Sequence, residues 1–362
     1  MKPKRTRGIC AGIIGLVALG AVDTAPLLAE VASDPAGFCK LTFLGNSDTI
    51  VSLPFARPAA CSGSVLATSG NVIQALGAPN WLPNQFVYAA GVQSNTYYLR
   101  FDSGASEGRY HPITANDTNT LTLNLGSDTL AGIAVNDLFS VVPYWTLGSV
   151  FPGGKGVFAS TSTIIRKTEV LIPNYSGSGI NLSASATYYF FTNVTTGAAA
   201  WRLVGSSSLN RNDDVLQPNV YLIVRHKVAT NTSYTSLGSA ILTKIGIPLR
   251  VNSTTKQDNT LALARPVLVS LDNSGLISTG AFTPSTSTIS RKDELLAFDN
   301  TTTNFNKSAA ATYYYFNSAW RKVGVSATIN VGSSNVFVPG MGFIIRKSTG
   351  TTAPLWSNNP TY

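Results

Sequence analysis

The segment Ala311-Thr312-Tyr313-Tyr314-Tyr315-Phe316-Asn317-Ser318-Ala319-Trp320-Arg321-Lys322-Val323-Gly324 is two aromatic, β-favouring runs around a polar break. Aromatic and β-branched side chains suit a pleated, half-buried surface, and two such runs around a short turn signal a hairpin. Asn317-Ser318-Ala319 reads as a three-residue loop between antiparallel strands. The same string stands 125 residues earlier as Ala186-Thr187-Tyr188-Tyr189-Phe190-Phe191, followed by Trp201-Arg202-Leu203-Val204-Gly205. There the loop Thr192–Ala200 is six residues longer, which a surface hairpin tip tolerates.

The match extends on both sides of the hairpins. Thr161-Ser162-Thr163-Ile164-Ile165-Arg166-Lys167-Thr168-Glu169-Val170-Leu171 aligns with Thr286-Ser287-Thr288-Ile289-Ser290-Arg291-Lys292-Asp293-Glu294-Leu295-Leu296. Pro218 through Arg225 aligns with Pro339 through Arg346. A weaker echo joins Asp48 to Ala56-Arg57-Pro58 with Asp258 to Ala264-Arg265-Pro266. Elsewhere short Val-, Ile-, Tyr- and Thr-rich runs alternate with Gly, Asn, Ser and Pro, and helical periodicity over three turns is absent from the mature chain. The only helical pieces suggested are near Asn71–Leu76 and Leu130–Val135. The expected fold is all-β, with short antiparallel strands in β-sandwich or barrel-like modules and an internal repeat. The segments are a signal peptide (1–29), an N-terminal β domain with a hairpin insert (30–154), repeat copy one (155–230) and a connecting β segment (231–281). Repeat copy two (282–348) and a C-terminal tail (349–362) follow.

The chain has 362 residues, 44% of them apolar and only 12% charged. That excludes a disordered, charge-rich chain. The formal charge is +9, but Lys2, Lys4, Arg5 and Arg7 precede an apolar run from Ile9 to Val22 and small residues at Ala25 and Ala29. This is the layout of a secretory signal peptide, and the run is shorter than the roughly 20 residues a spanning helix needs. No membrane span is expected in the mature chain. Cleavage after Ala29 leaves 22 basic against 16 acidic residues. They are scattered, with no basic stripe or nucleic-acid motif, so nucleic acid is not an expected partner. The expected location is periplasmic, cell-surface or extracellular.

Candidate sites are few. Along a strand successive side chains point to opposite faces, so half the hairpin aromatics fill a core and half point outward. Tyr189, Trp201, Tyr314 and Trp320 are therefore candidate binding aromatics, for sugar rings or for a neighbouring domain or subunit. Cys39 and Cys61 remain after cleavage and form a disulfide candidate in an oxidising compartment. In a hairpin of Cys39–Leu44 with Thr49–Phe55, Cys39 stands opposite Pro54, and Cys61 reaches it only if Arg57-Pro58-Ala59-Ala60 curls back.

Gly104-Ala105-Ser106-Glu107-Gly108 matches Gly-x-Ser-x-Gly, with His111 three residues on. A nucleophile elbow leads into a helix, whereas a strand follows here, so the match reads as a hairpin turn. His226 has Lys347 at its place in the second copy. Glu169 and Glu294 are repeat equivalents, read as solvated pairs with Lys167 and Lys292 on one strand face. Asn212-Asp213-Asp214 lacks the alternate-residue spacing of a calcium loop. No catalytic residue, cofactor or metal set is assigned.

Ser47-Asp48-Thr49-Ile50-Val51-Ser52-Leu53-Pro54, Glu107-Gly108-Arg109-Tyr110-His111-Pro112-Ile113-Thr114, Tyr144-Trp145-Thr146-Leu147, Gln257-Asp258-Asn259 and Ala264-Arg265-Pro266 carry a resemblance. In combination they resemble an uncharacterised family of exported, β-rich verrucomicrobial proteins, over about residues 38–347. The resemblance implies a bacterial exported protein and no particular activity. The expected function is non-catalytic, in a secreted or cell-surface β protein with a structural or adhesive role, its partners being itself or other cell-envelope components. The alternative is a carbohydrate-binding module protein whose partners are glycans, held by exposed aromatics of the repeat hairpins.

Overall fold

A computed structural model describes residues 35–362; the segment 1–29 read as a signal peptide lies outside them. Short runs with alternating burial make nearly every regular element a strand. The chain enters through β1 (Ala36–Phe43) and β2 (Ser47–Val51). Six strands follow: β3 (Cys61–Ser69), β4 (Val72–Ala75), β5 (Tyr97–Phe101), β6 (Tyr110–Asn116), β7 (Thr120–Leu123) and β8 (Leu138–Pro143). β9 (Trp145–Thr146) and the single turn α1 (Leu147–Val150) lead into a first module. It comprises β10 (Thr168–Pro173), β11 (Ala184–Thr192), β12 (Ala199–Leu203), β13 (Val215–Leu216) and β14 (Leu222–His226). β15 (Thr232–Ser239), β16 (Ile245–Pro248) and β17 (Gln257–Ala262) connect to the second module. That module holds β18 (Glu294–Ala297), β19 (Ala311–Phe316), β20 (Ala319–Lys322) and β21 (Gly342–Lys347), and β22 (Leu355–Asn358) comes last.

The strands β3-β4-β7-β6-β5-β8 close into a barrel. Its inward positions are occupied by Leu99, Phe101, Leu121, Phe139 and Val141, all fully buried, so it is a packed core, as small barrels are. Asn71–Leu76, read as a helical piece, is instead a turn and strand β4, whose residues alternate between half-buried and buried.

Beside it stand two five-stranded antiparallel sheets, in the orders β12-β11-β10-β14-β2 and β20-β19-β18-β21-β17, and three two-stranded ribbons, β1-β15, β9-β13 and β16-β22. Segments that align in sequence take matching places in the two sheets, and β2 and β17 sit at matching edges. The tip of the second hairpin is tighter than expected. Phe316 pairs directly with Ala319, leaving the two-residue loop Asn317-Ser318, both at positive φ (49° and 54°). Such a turn follows the twist of the strands that it joins.

The expected hairpin of Cys39–Leu44 with Thr49–Phe55 does not form. β1 pairs with β15 over its whole length, and β2 pairs with β14. The turn between them is drawn aside at Gly45, whose N–H donates to Asn231 Oδ1 (2.7 Å) and which has no room for a Cβ against the Ala229 carbonyl. Residues 349–362 do more than trail the second copy. β22 pairs with β16, and Trp356 is fully buried with its indole N–H donating to the Ser274 carbonyl at 2.7 Å. Arg265 of Ala264-Arg265-Pro266 is 1% exposed and ties β22 to the connecting segment, donating to Asn358 Oδ1 (2.8 Å) and to the Ile241 carbonyl (2.6 Å).

Candidate functional site

The four candidate aromatics are all buried: Tyr189, Trp201 and Trp320 are 1% exposed and Tyr314 3%. Trp201 packs inward on Phe151 and Phe190 (ring centroids 5.4 and 5.6 Å), and Trp320 on Phe282 (5.0 Å). Tyr189 and Tyr314 are covered by arginine: Arg166 and Arg291 lie over their rings, each at 5.7 Å. The segments before β10 and β18 bring these arginines across, with parallel bridges from Ser160 to Phe191 and from Ser285 to Phe316. Alternation along the strand gave the outward direction and could not register this cover. Stacking of sugars on these four rings is therefore a corrected expectation.

The covering arginines are held by the glutamates. Arg166 Nε donates to Glu169 Oε1 at 2.6 Å, and Arg291 Nε to Glu294 Oε1 at 2.7 Å. Lys227 and Lys256 complete the pairs at 2.9 and 3.1 Å. The partners are thus not Lys167 and Lys292, and the carboxylates are buried (5% and 8% exposed) rather than solvated. Burial alone would raise both carboxyls; hydrogen bonds from Lys227 and Arg166, and from Arg291 and Lys256, outweigh it and hold them below the usual carboxylate range.

Cys39 and Cys61 stand as separate thiols. β1 leaves to join β15, where Cys39 Sγ lies 3.8 Å from the Pro339 carbonyl, while Cys61 opens β3 opposite Val141 in the barrel. Burial raises both thiols, Cys61 to about 11. In the Gly-x-Ser-x-Gly stretch Ser106 is buried in a turn closed by the Arg109 N–H donating to the Ser106 carbonyl (3.0 Å), and the next element is strand β6. His111 faces Asp128 instead, Nε2 to Oδ2 at 3.5 Å, and burial lowers its pKa. Asn212-Asp213-Asp214 is engaged with protein donors: the Trp201 N–H donates to Asn212 Oδ1 (2.9 Å), and the Tyr188 hydroxyl to Asp214 Oδ2 (2.8 Å).

His226 is fully buried between Phe43 and Phe158 (ring centroids 5.9 and 5.1 Å). Thr232 donates its hydroxyl proton to the Gly156 carbonyl (2.7 Å) and so accepts from His226 Nε2 (2.8 Å). With the proton on Nε2 of the neutral ring, Nδ1 accepts from the Thr168 hydroxyl (2.9 Å), which in turn accepts from the Phe158 N–H (3.1 Å). This network assigns the Nε2–H tautomer. At the matching place in the second module Lys347 meets Asp293, both buried, and Asp293 also accepts from the Ser348 and Thr283 backbone N–H groups (2.7 Å each). One module holds a neutral pair where the other holds an ion pair.

The arrangement that sequence reasoning missed lies between the two sheets. Arg225 on β14 donates Nε and Nη2 to the two carboxylate oxygens of Asp48 on β2 (2.7 and 2.8 Å). Arg346 on β21 makes the same fork on Asp258 of β17 (2.7 and 3.0 Å). Each fork is completed by the opposite module. The Asn306 N–H donates to Asp48 Oδ2 (2.7 Å), and its side-chain oxygen accepts from Arg225 Nη2 (2.6 Å). Asn181 does the same for Asp258 (2.8 Å) and Arg346 (2.9 Å). Both asparagines sit at positive φ (51° and 55°), a region that this residue tolerates. Backbone bonds reciprocate too: the Ser52 N–H donates to the Gly340 carbonyl (2.9 Å) and the Ala262 N–H to that of Asn219 (2.8 Å). Residue i of one half meets j of the other while j meets i, as in a twofold dimer.

A cleft of about 680 Å³ opens between the forks. Ile50, Leu171 and Ile223 line one side and Leu296, Phe298 and Ile344 the other. The available signal was the recurrence of Asp48, Asn181 and Arg225 as Asp258, Asn306 and Arg346. Comparison with protein families, curated proteins and solved structures finds no match.

Proposed function

We propose that this is an exported, non-catalytic β protein that acts by contact at the cell surface, in a structural or adhesive role. The observation that carries the reading is the apolar pair Phe38 and Leu237. They stand directly opposite each other on the β1–β15 ribbon and are 73% and 60% exposed. Single exposed apolar residues are ordinary, but adjacent large ones on an ordered ribbon mark an interaction surface. Ile164 and Ile289, 82% and 89% exposed, add one further apolar tip at the matching turn of each module.

Light scattering over a range of concentrations, together with fractionation of the producing cells, tests the reading. The intact chain is expected to self-associate or to partition with the envelope, and the Phe38→Ser, Leu237→Ser double variant to do neither while keeping its fold. A chain that stays monomeric and free of the envelope overturns it.

A further inference from the structure

We propose that the cleft between the two modules binds an amphiphile with an anionic head and an extended apolar tail. Hydrogen-bonding capacity is left over at the cleft. Asp48 and Asp258 each accept two bonds from arginine and one from an asparagine N–H. Those forks use Nε and Nη2, leaving Nη1 of Arg225 and of Arg346 outside them. Lys307 adds a third cation at the cleft, and burial lowers its pKa. Lys307 Nζ donates one bond to the Asp299 carbonyl (2.8 Å), and the Asp299 carboxylate lies near it, so what marks the site is the donors left on Arg225, Arg346 and Lys307 rather than an excess of charge. Its walls are aliphatic, with Ile50, Leu171 and Ile223 facing Leu296 and Ile344 across the space. A volume of about 680 Å³ falls within the roughly 300–1,000 Å³ of small-molecule sites.

The departure from twofold symmetry gives the site a direction. Lys307 follows Asn306, which completes the Asp48–Arg225 fork; its counterpart after Asn181 is Leu182. One end of the cleft therefore holds two cations, Lys307 and Arg225, and the other one, Arg346, beside the aliphatic Leu182. A carboxylate or phosphate head belongs beside Lys307 and Arg225, where its hydrogen bonds are charge-assisted. The tail runs over the isoleucines and leucines toward Leu182, removing apolar surface from water.

Calorimetric titration of the full chain with monomeric dodecanoate, dodecyl phosphate and dodecyltrimethylammonium tests this. The two anions are expected to bind saturably, one per chain, and the cation not; which anion binds more tightly identifies the head group. Lys307→Ala should weaken the anions about tenfold or more, Lys307→Arg should restore them, and Leu296→Trp, which fills the cleft, should abolish binding. Leu182→Lys, which gives the two ends the same pair of cations, should shift preference from dodecanoate to dodecanedioate. Equal binding of the cationic amphiphile, anion affinities unmoved by Lys307→Ala and Leu296→Trp, or no saturable binding would each overturn the proposal.

Discussion

His226 and Lys347 show how two sheets of the same strand order solve the same burial problem with different chemistry. A lone buried charge is expensive, so a core position must be neutral or closely paired. The first module takes the neutral course with Thr168 and Thr232, the second the charged one with Asp293. Burial pushes His226 down to about 4 from an ordinary 6.5. Between those values the unfolded chain binds the extra proton, so stability is complete above pH 6.5 and falls as pH drops toward 4. The expected loss is about 3 kcal/mol, measured by denaturant titration across that range. His226→Gln should flatten its share of the slope and leave the part from His111, which is also lowered by burial. A slope unchanged in that variant would contradict the assignment. The sequence showed the exchange of His for Lys; the compensating Thr168 and Asp293 became meaningful only once the strands were seen side by side.

At the level of elements, local signals were legible and remote pairings were not. The aromatic runs, the polar breaks and the order of the hairpins could be read because each depends on neighbours a few residues apart. The partner of β1 could not: β15 begins at Thr232, and a proline-punctuated hairpin with β2 was the nearer local solution. The loop of the second hairpin erred by one residue for a related reason. Asn317 announces a turn, but Ser318 does not announce a second positive φ, a conformation costly for residues other than glycine. Ser318→Gly is accordingly expected to stabilise the protein by about 1 kcal/mol, seen as a raised thermal midpoint. A lowered midpoint would mean that the two-residue turn is misassigned. The candidate aromatics were correctly placed on their strands, yet exposure belongs to whatever crosses above a strand, and Arg166 and Arg291 arrive from outside the hairpins.

Across the whole molecule the two sheets complete each other. Asn306 finishes the fork of the first module and Asn181 that of the second, so loosening either module removes bonds from its mate. Unfolding is expected to be a single calorimetric transition. Asn181→Ala and Asn306→Ala should each lower it by a similar amount, about 1–3 kcal/mol, because each leaves one arginine fork short of an acceptor. Two separate transitions, or one variant silent beside the other, would contradict mutual completion. The recurrence of Asp, Asn and Arg was present in the sequence; that each asparagine serves the other copy's pair was not, since alignment of repeats compares like with like and is blind to exchange.

That exchange also sets an order of events for a chain made from its N-terminus. β2 is synthesised early, yet its edge is met by Asn300, Asn306 and Gly340, about 250 to 290 residues later. The connecting segment likewise waits for Trp356 and Asn358. The barrel of β3 to β8 can close on strands that lie within residues 61–143, whereas the sheet that holds β2 keeps an open edge until the last quarter of the chain has been made.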